Sequence, residues 1–271
     1  MAEFTETLKS IALSSAMTSF GTAVFSERQR EAPETPPFSL GELPYAIAIG
    51  YRLSDVVLDS LADRPTRTYQ YHYRQVNLLL DQTLLKLLAR IHEYGFRGFP
   101  VPASQIVDWQ AGTGHLSHKF VAREAGLGWI GRNNLLVSPV HGARVRYGSL
   151  FTNMPLERTC VMSLGGREEL DSRVEDTGRG GTEGAREAGV GTGTQAGVVA
   201  RVDDQAEAGS VMDCGSCRKC VKACPAGAIA DDGGAFDLGK CKEMLKTFSR
   251  TENIGSMICG VCIKACSGRK P

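Results

Sequence analysis

The chain has 271 residues, 31 Lys+Arg against 30 Asp+Glu, and 42% hydrophobic residues. That is enough apolar material for one large folded unit or a medium and a small one. The near-neutral balance excludes a globally basic nucleic-acid binder, though not a local patch.

No apolar run reaches the roughly 18 residues of a membrane helix. The opening "MAEFTETLKSIALSSAMTSF" lacks the basic start and long apolar stretch of a secretory signal. Nine cysteines in ferredoxin-type spacing point to a reducing compartment rather than a disulfide framework. The cytoplasm is therefore the expected location.

In chain order, residues 1–162 read as one α/β domain. A helix is expected over 5–19 and a strand over "YAIAIGYRL", 45–53. The strongest periodicity lies in 67–94. Val76, Leu80, Leu84, Leu87, Leu88 and Ile91 recur at steps of three and four and form one apolar stripe. Gly95 follows where a helix C-cap belongs. "FRGFPV", 96–101, reads as a short strand, and "SHKFVAREAG", 117–126, as a short helix stopped by Gly126. "NLLVSP" and "RVRYGSLFTN" read as strands joined by a turn at His141 and Gly142.

Residues 163–210 change character, with eleven Gly, ten acidic residues and no aromatic. Such a segment buries too little surface to offset its ordering entropy. It is expected to be a flexible linker or surface insertion without catalytic residues. Residues 211–271 form a cysteine-rich module, with a helix expected around Cys241.

That module carries the chemistry. Cys214, Cys217, Cys220 and Cys224 follow C-x2-C-x2-C-x3-C-P, the bacterial ferredoxin run, whose fourth cysteine serves the other cluster of a pair. Cys259, Cys262 and Cys266 repeat the x2 and x3 steps. By symmetry Cys266 crosses as Cys224 does. One 4Fe–4S cluster is then expected on Cys214, Cys217, Cys220 and Cys266. The other falls on Cys224, Cys259, Cys262 and one more. Cys241 is the better candidate for that place than Cys160, which reads as a buried free thiol. Zinc sites more often come as separated C-x2-C pairs. Ser267 follows Cys266 where the first run has Pro225, but that proline is not a ligand.

A free-standing ferredoxin needs only the last sixty or so residues, so the preceding domain argues for an electron acceptor in the same chain. Here "EAGLGWIGRNNLLVSPVHGARVRYGSLFTNMPLE", 124–157, resembles the core segment of the epoxyqueuosine reductase family. The order of cysteines in the carboxyl module is similar too, and Tyr71-His72 resembles that family's Tyr-His helix start. The resemblance spans residues 45–160 and 211–267. It implies a nitroreductase-like α/β domain binding cobalamin, followed by a ferredoxin-like module with two 4Fe–4S clusters, as in the related reductive dehalogenases. It further implies corrinoid contacts from Gly128, Trp129, Leu136 and Tyr147. The glycines of "GLGWIG" would let backbone approach a flat ligand. A tight turn with Trp129 in the core explains the same residues equally well. A dinucleotide site does not, because this run precedes a strand.

Two departures matter. The family's proton-donor aspartate falls, counted without gaps, on Gly112; Asp108, His115 and His118 are nearby. Tyr71 and His72 complete the catalytic candidates. The His residues also read as packing or capping groups. The helical-repeat extension of larger members is not seen, and tRNA is disfavoured as the substrate. Three readings stay open. The first is a corrinoid and iron–sulfur reductase of a small or nucleoside-like substrate, fed by an external ferredoxin- or flavodoxin-type donor. The second is an electron-transfer or corrinoid-reactivating protein with no substrate of its own. The third is a true epoxyqueuosine reductase acting on tRNA.

Overall fold

In chain order the elements are α1 (Ala2–Ser14), β1 (Ser19–Val24), β2 (Tyr45–Arg52), α2 (Asp55–Asp59), α3 (Arg67–Glu93) and β3 (Gly98–Val101). There follow α4 (His118–Glu124), β4 (Trp129–Ile130), β5 (Leu136–Val137), β6 (Val145–Thr152), β7 (Cys160–Ser163), β8 (Val199–Arg201), α5 (Lys219–Ala223), α6 (Leu238–Thr251) and α7 (Val261–Ala265). The structure, a computed structural model, describes residues 1–25, 40–104, 116–163, 199–201, 213–231, 235–251 and 254–268.

The main sheet has the order β3-β6-β2-β1-β7-β8. Every strand pairing among the described residues is antiparallel. The architecture is thus mixed α/β on an antiparallel sheet. Alternation along the central strands creates two cores. Ile47 and Ile49 of β2 and Leu150 of β6 face α1 and α3, meeting Leu8, Leu80, Leu84 and Leu87. Ala46, Ala48, Tyr147 and Phe151 face the other way, toward Val121, Ala122 and Ala125. Gly148 makes room for α3, since a Cβ there would lie 3.1 Å from Leu84 Cδ1.

Helix α3 is the stripe expected from the sequence. Thr66 caps its start by accepting from Tyr69 N at 3.1 Å. Its end is closed by Phe96 N donating to Ile91 O at 3.1 Å, with Gly95 at φ +79°. Gly126, at φ +78°, ends α4 in the same way, through Leu127 N to Ala122 O at 2.9 Å.

Three expectations need correction. Helix α1 stops at Ser14, and Ser19 already opens β1, paired with Gly50. The stop is Ala16, which turns the chain at φ +66° with no glycine or proline to announce it. Second, β5 and β6 are not partners: β5 pairs with β4, while β6 lies between β3 and β2. The turn at His141-Gly142 leads from one sheet to the other. Third, Val199–Arg201, expected within a linker, pairs antiparallel with β7. The carboxyl module also shares a core with the first domain, since Ile254 and Ile258 belong to the α1–α3 cluster.

Candidate functional site

Two short helices, α5 and α7, each flanked by the cysteines of its run, pack on each other. In the first run Cys217 N donates to Cys214 O at 3.1 Å, which folds the loop before α5. Cys220 lies buried on α5, and Cys224 follows it in extended backbone. The second run repeats this plan: Cys262 lies on α7 and Cys266 follows it, also extended. Gly260, between Cys259 and α7, sits at φ +83° against Tyr69, where a Cβ would come within 2.6 Å of the ring. Only glycine suits that place.

The eight thiols fall into two neighbourhoods. Cys214, Cys217, Cys220 and Cys266 line one pocket, with Trp129, Asn133 and Val137 on the opposite wall. Burial raises the Cys220 thiol, and Cys266, Cys214 and Cys217 raise it further. The second neighbourhood is Cys224, Cys241, Cys259 and Cys262. Burial pushes Cys259 up to about 11, with Cys241 and Cys224 adding to it. Burial likewise raises Cys262, reinforced by Cys259, Cys224 and Cys241, and then by Cys220 of the other group. Cys241 is raised by burial and by Cys224. Cys224 therefore sits with the second run and Cys266 with the first.

Among the described residues no group of three or more His, Cys, Asp or Glu converges to hold a single ion. A 4Fe–4S cubane asks for something else, because it spreads four thiolates over four irons. An all-thiol donor set of four, from one tight loop plus one crossing cysteine, fits that requirement.

The wall facing the first neighbourhood is the β4–β5 hairpin. Gly128, at φ +148°, packs so closely on β5 that a Cβ would lie 2.1 Å from the Val137 carbonyl. Gly131 leaves a Cβ position 3.4 Å from Cys214 Sγ. Arg132 Nη2 donates to Gly215 O at 2.9 Å, in the loop between Cys214 and Cys217. Three nitrogens of this hairpin, Trp129 Nε1, Arg132 Nε and Asn133 Nδ2, are buried without a hydrogen-bond partner among the described residues. Each such donor costs about 1–3 kcal/mol unless an acceptor arrives.

The cysteine module is fastened to the first domain by backbone. Ala143 N donates to Cys266 O at 3.2 Å, and Arg144 Nη2 to Lys264 O at 2.6 Å. Lys264 Nζ returns a bond to Leu61 O at 2.6 Å. Gly142 is obligatory in this contact, since a Cβ would lie 2.2 Å from Gly268 N.

The other expected site residues do not gather here. Of the proposed corrinoid contacts, Gly128 is engaged with the Val137 backbone and Trp129 faces the cysteine pocket. Leu136 and Tyr147 are core residues between the sheet and α4. Tyr71 is solvent-exposed on α3. His72 Nε2 accepts from Ser54 N at 3.1 Å, which ties α2 to α3. His118 bonds Ser149 Oγ at 3.0 Å through Nδ1 and Pro102 O at 3.3 Å through Nε2. Burial, with Arg146 nearby, pushes His118 down to about 4, so it stays neutral and packs as a structural group. Asp108, Gly112 and His115 lie outside the described residues. Cys160 is half-buried; its Sγ donates to Gly126 O at 3.2 Å, and burial pushes it up to about 11.

Sequence reasoning missed a polar cluster on the α3 face of β6. Arg146 stacks on Tyr73, 4.5 Å from guanidinium carbon to ring centre, and bonds Asn77 Oδ1 at 3.0 Å and Ser104. The signal was available, because an Arg between apolar neighbours in a central strand needs buried partners.

The fold defines a class first. It is shared with a catabolic reductive dehalogenase solved with 3-bromo-4-hydroxybenzoic acid: TM-score 0.63, 16% identity, 96% of this chain and 31% of that chain covered. It is shared also with an epoxyqueuosine reductase: TM-score 0.56, 19% identity, 97% of this chain and 65% of that one. An epoxyqueuosine reductase solved with a modified tRNA-Tyr stem loop aligns at TM-score 0.51, with 19% identity, covering 90% of this chain and 57% of that one.

Sequence then narrows the class. The chain is 30% identical over 121 residues to the epoxyqueuosine reductase of Listeria monocytogenes, covering 45% of this chain and 19% of that protein. It is 28% identical over 166 residues to the enzyme of Bacillus anthracis, covering 58% and 31%. It is 30% identical over 138 residues to that of Pseudomonas aeruginosa, covering 48% and 34%. The chain is a relative of the epoxyqueuosine reductases, and its matched region spans between a fifth and about a third of their length. No protein-family model matches it.

Proposed function

We propose that the chain is an iron–sulfur reductase of the epoxyqueuosine reductase kind, carrying two 4Fe–4S clusters. Cys214, Cys217, Cys220 and Cys266 would hold one cluster, and Cys224, Cys241, Cys259 and Cys262 the other. The observation that carries this reading is the sorting of eight thiols into two neighbourhoods, with Cys224 and Cys266 exchanged between the runs. When bound, the clusters supply one-electron transfer at low potential. The chain's own part is to hold the thiolates in place, through the Ala143–Cys266 backbone bond and the Arg132 side chain on Gly215 O, and to shield them with the β4–β5 hairpin.

Electrons would enter from a ferredoxin- or flavodoxin-type donor and leave to a small or nucleoside-like substrate. Epoxyqueuosine in tRNA fits as well, since relatives bear that name and one structural neighbour holds a modified stem loop. A corrinoid acceptor draws support from a dehalogenase neighbour described as B12-dependent. Gly128, Trp129, Leu136 and Tyr147 remain its expected contacts.

The test is metal, sulfide and cofactor analysis of protein purified without oxygen. About eight iron and eight sulfide per chain are expected, and a single metal ion per chain would overturn the reading. Cobalamin titration then separates corrinoid from corrinoid-free models. Turnover of an epoxyqueuosine stem loop against the free nucleoside separates the substrate classes. No turnover of either, with electron transfer to a partner intact, would leave the electron-transfer reading.

A further inference from the structure

Resting on the two-cluster reading, we propose that the β4–β5 hairpin sets the potential of one cluster alone. Trp129 and Asn133 would donate N–H hydrogen bonds to the sulfur atoms held by Cys214, Cys217, Cys220 and Cys266.

The argument begins with the unpartnered nitrogens. Buried N–H groups in folded proteins nearly always find an acceptor, so an orphan calls for a missing partner. Trp129 Nε1 and Asn133 Nδ2 are both buried without an acceptor among the described residues, and both residues line the pocket of these four cysteines. Asn133 is 3% exposed and Trp129 9%, so water is largely excluded as the alternative. The acceptor that this pocket would contain is sulfur, as thiolate or sulfide.

The hairpin is built to hold those donors still. Gly128 lets β4 close on β5, Asn133 Oδ1 accepts from Leu135 N at 3.3 Å inside the turn, and Arg132 grips the cysteine loop. None of the unpartnered nitrogens among the described residues belongs to the module that carries the second quartet.

Hydrogen bonds to cluster sulfurs are among the factors that set cluster potential. An N–H donor favours the reduced, more negative state, so it raises the potential of the cluster that it touches. The hairpin would therefore separate the two potentials, with the cluster at Trp129 as the better acceptor of the pair. Reduction adds one electron, supplied by dithionite in the test below.

Trp129→Phe keeps the ring and removes the donor. In the full chain, loaded with both clusters without oxygen, an EPR-monitored dithionite titration should show one midpoint moved to more negative potential and the other unmoved. Asn133→Ser should move the same midpoint in the same direction. Unmoved midpoints at full iron, or equal movement of both, would overturn the proposal. Wild-type protein that holds fewer than two clusters would instead overturn the two-cluster reading. Should either variant lose iron, wild-type protein with nitrogen-15 in its tryptophan indoles provides the measurement. Pulsed EPR is expected to resolve coupling to one reduced cluster, and no coupling would overturn the proposal.

Discussion

Cys241 has the weakest sequence signature of the eight cysteines assigned to clusters. It stands alone on α6 and enters the set only by elimination, yet its thiol neighbours Cys224. Cys241→Ala is expected to halve the iron content and leave the signal of the other cluster in place. Loss of all iron would argue against two separate ligand sets. His118 makes a second residue-scale prediction. Its folded value lies near 4, below the ordinary 6.5 of an unfolded histidine. The unfolded chain therefore binds more protons between those values, and stability falls as pH drops through that window. Denaturant melts of wild type and His118→Gln should diverge there and run parallel above pH 7.

The grouping of the cysteines was legible because short steps on one loop leave a fixed spacing in the sequence. The expected corrinoid contacts carry no such signature. Gly128, Trp129, Leu136 and Tyr147 are residue types that serve a tight hairpin and a core equally well, and periodicity does not tell those roles apart. Arg146 shows the converse. Its partners Tyr73, Asn77 and Ser104 come from α3 and the end of β3, and only the tertiary fold brings them together.

At the scale of elements, α3 was legible nearly to the residue. Its stripe and its Gly95 stop agree with each other, and such agreement is what makes a sequence readable; the Thr66 cap came from the structure. Leu84→Ala, at a fully buried position beside Gly148, should cost about 2–5 kcal/mol in chemical denaturation. Thr66→Ala should cost about 1 kcal/mol. A reversed order of these losses would contradict the packing described. Strand β1 was missed for a physical reason. "SFGTAV" is buried on both faces, so it shows no alternation, and its leading Ser19 follows a helical pattern without a break signal. The swap of strand partners around Gly142 was invisible too, because the turn answers to Cys266 and Gly268, more than a hundred residues away.

At the scale of the whole molecule, the two halves share one core. Ile254 and Ile258 complete the α1–α3 core, and Gln70 Nε2 reaches Ser256 Oγ at 3.3 Å. On the two-cluster reading, cluster binding free energy is then folding free energy for the entire chain. Stripping iron with a chelator under reducing conditions should lower Tm in a single transition, seen alike by far-UV signal and by tryptophan emission. Two separate transitions would show that the module melts alone.

The edge pairing of β8 has a bearing on how electrons travel. Ser163 and Val199 face each other across the sheet, so whatever lies between them begins and ends at the same spot. Gly215, next to the first cysteine of the module, is clamped to the β4–β5 hairpin by Arg132. Tunnelling rates fall steeply with distance, and a swinging arm would make that distance fluctuate. On the two-cluster reading this molecule is instead a soldered junction, with Gly215, Lys264 and Cys266 bonded to the first domain.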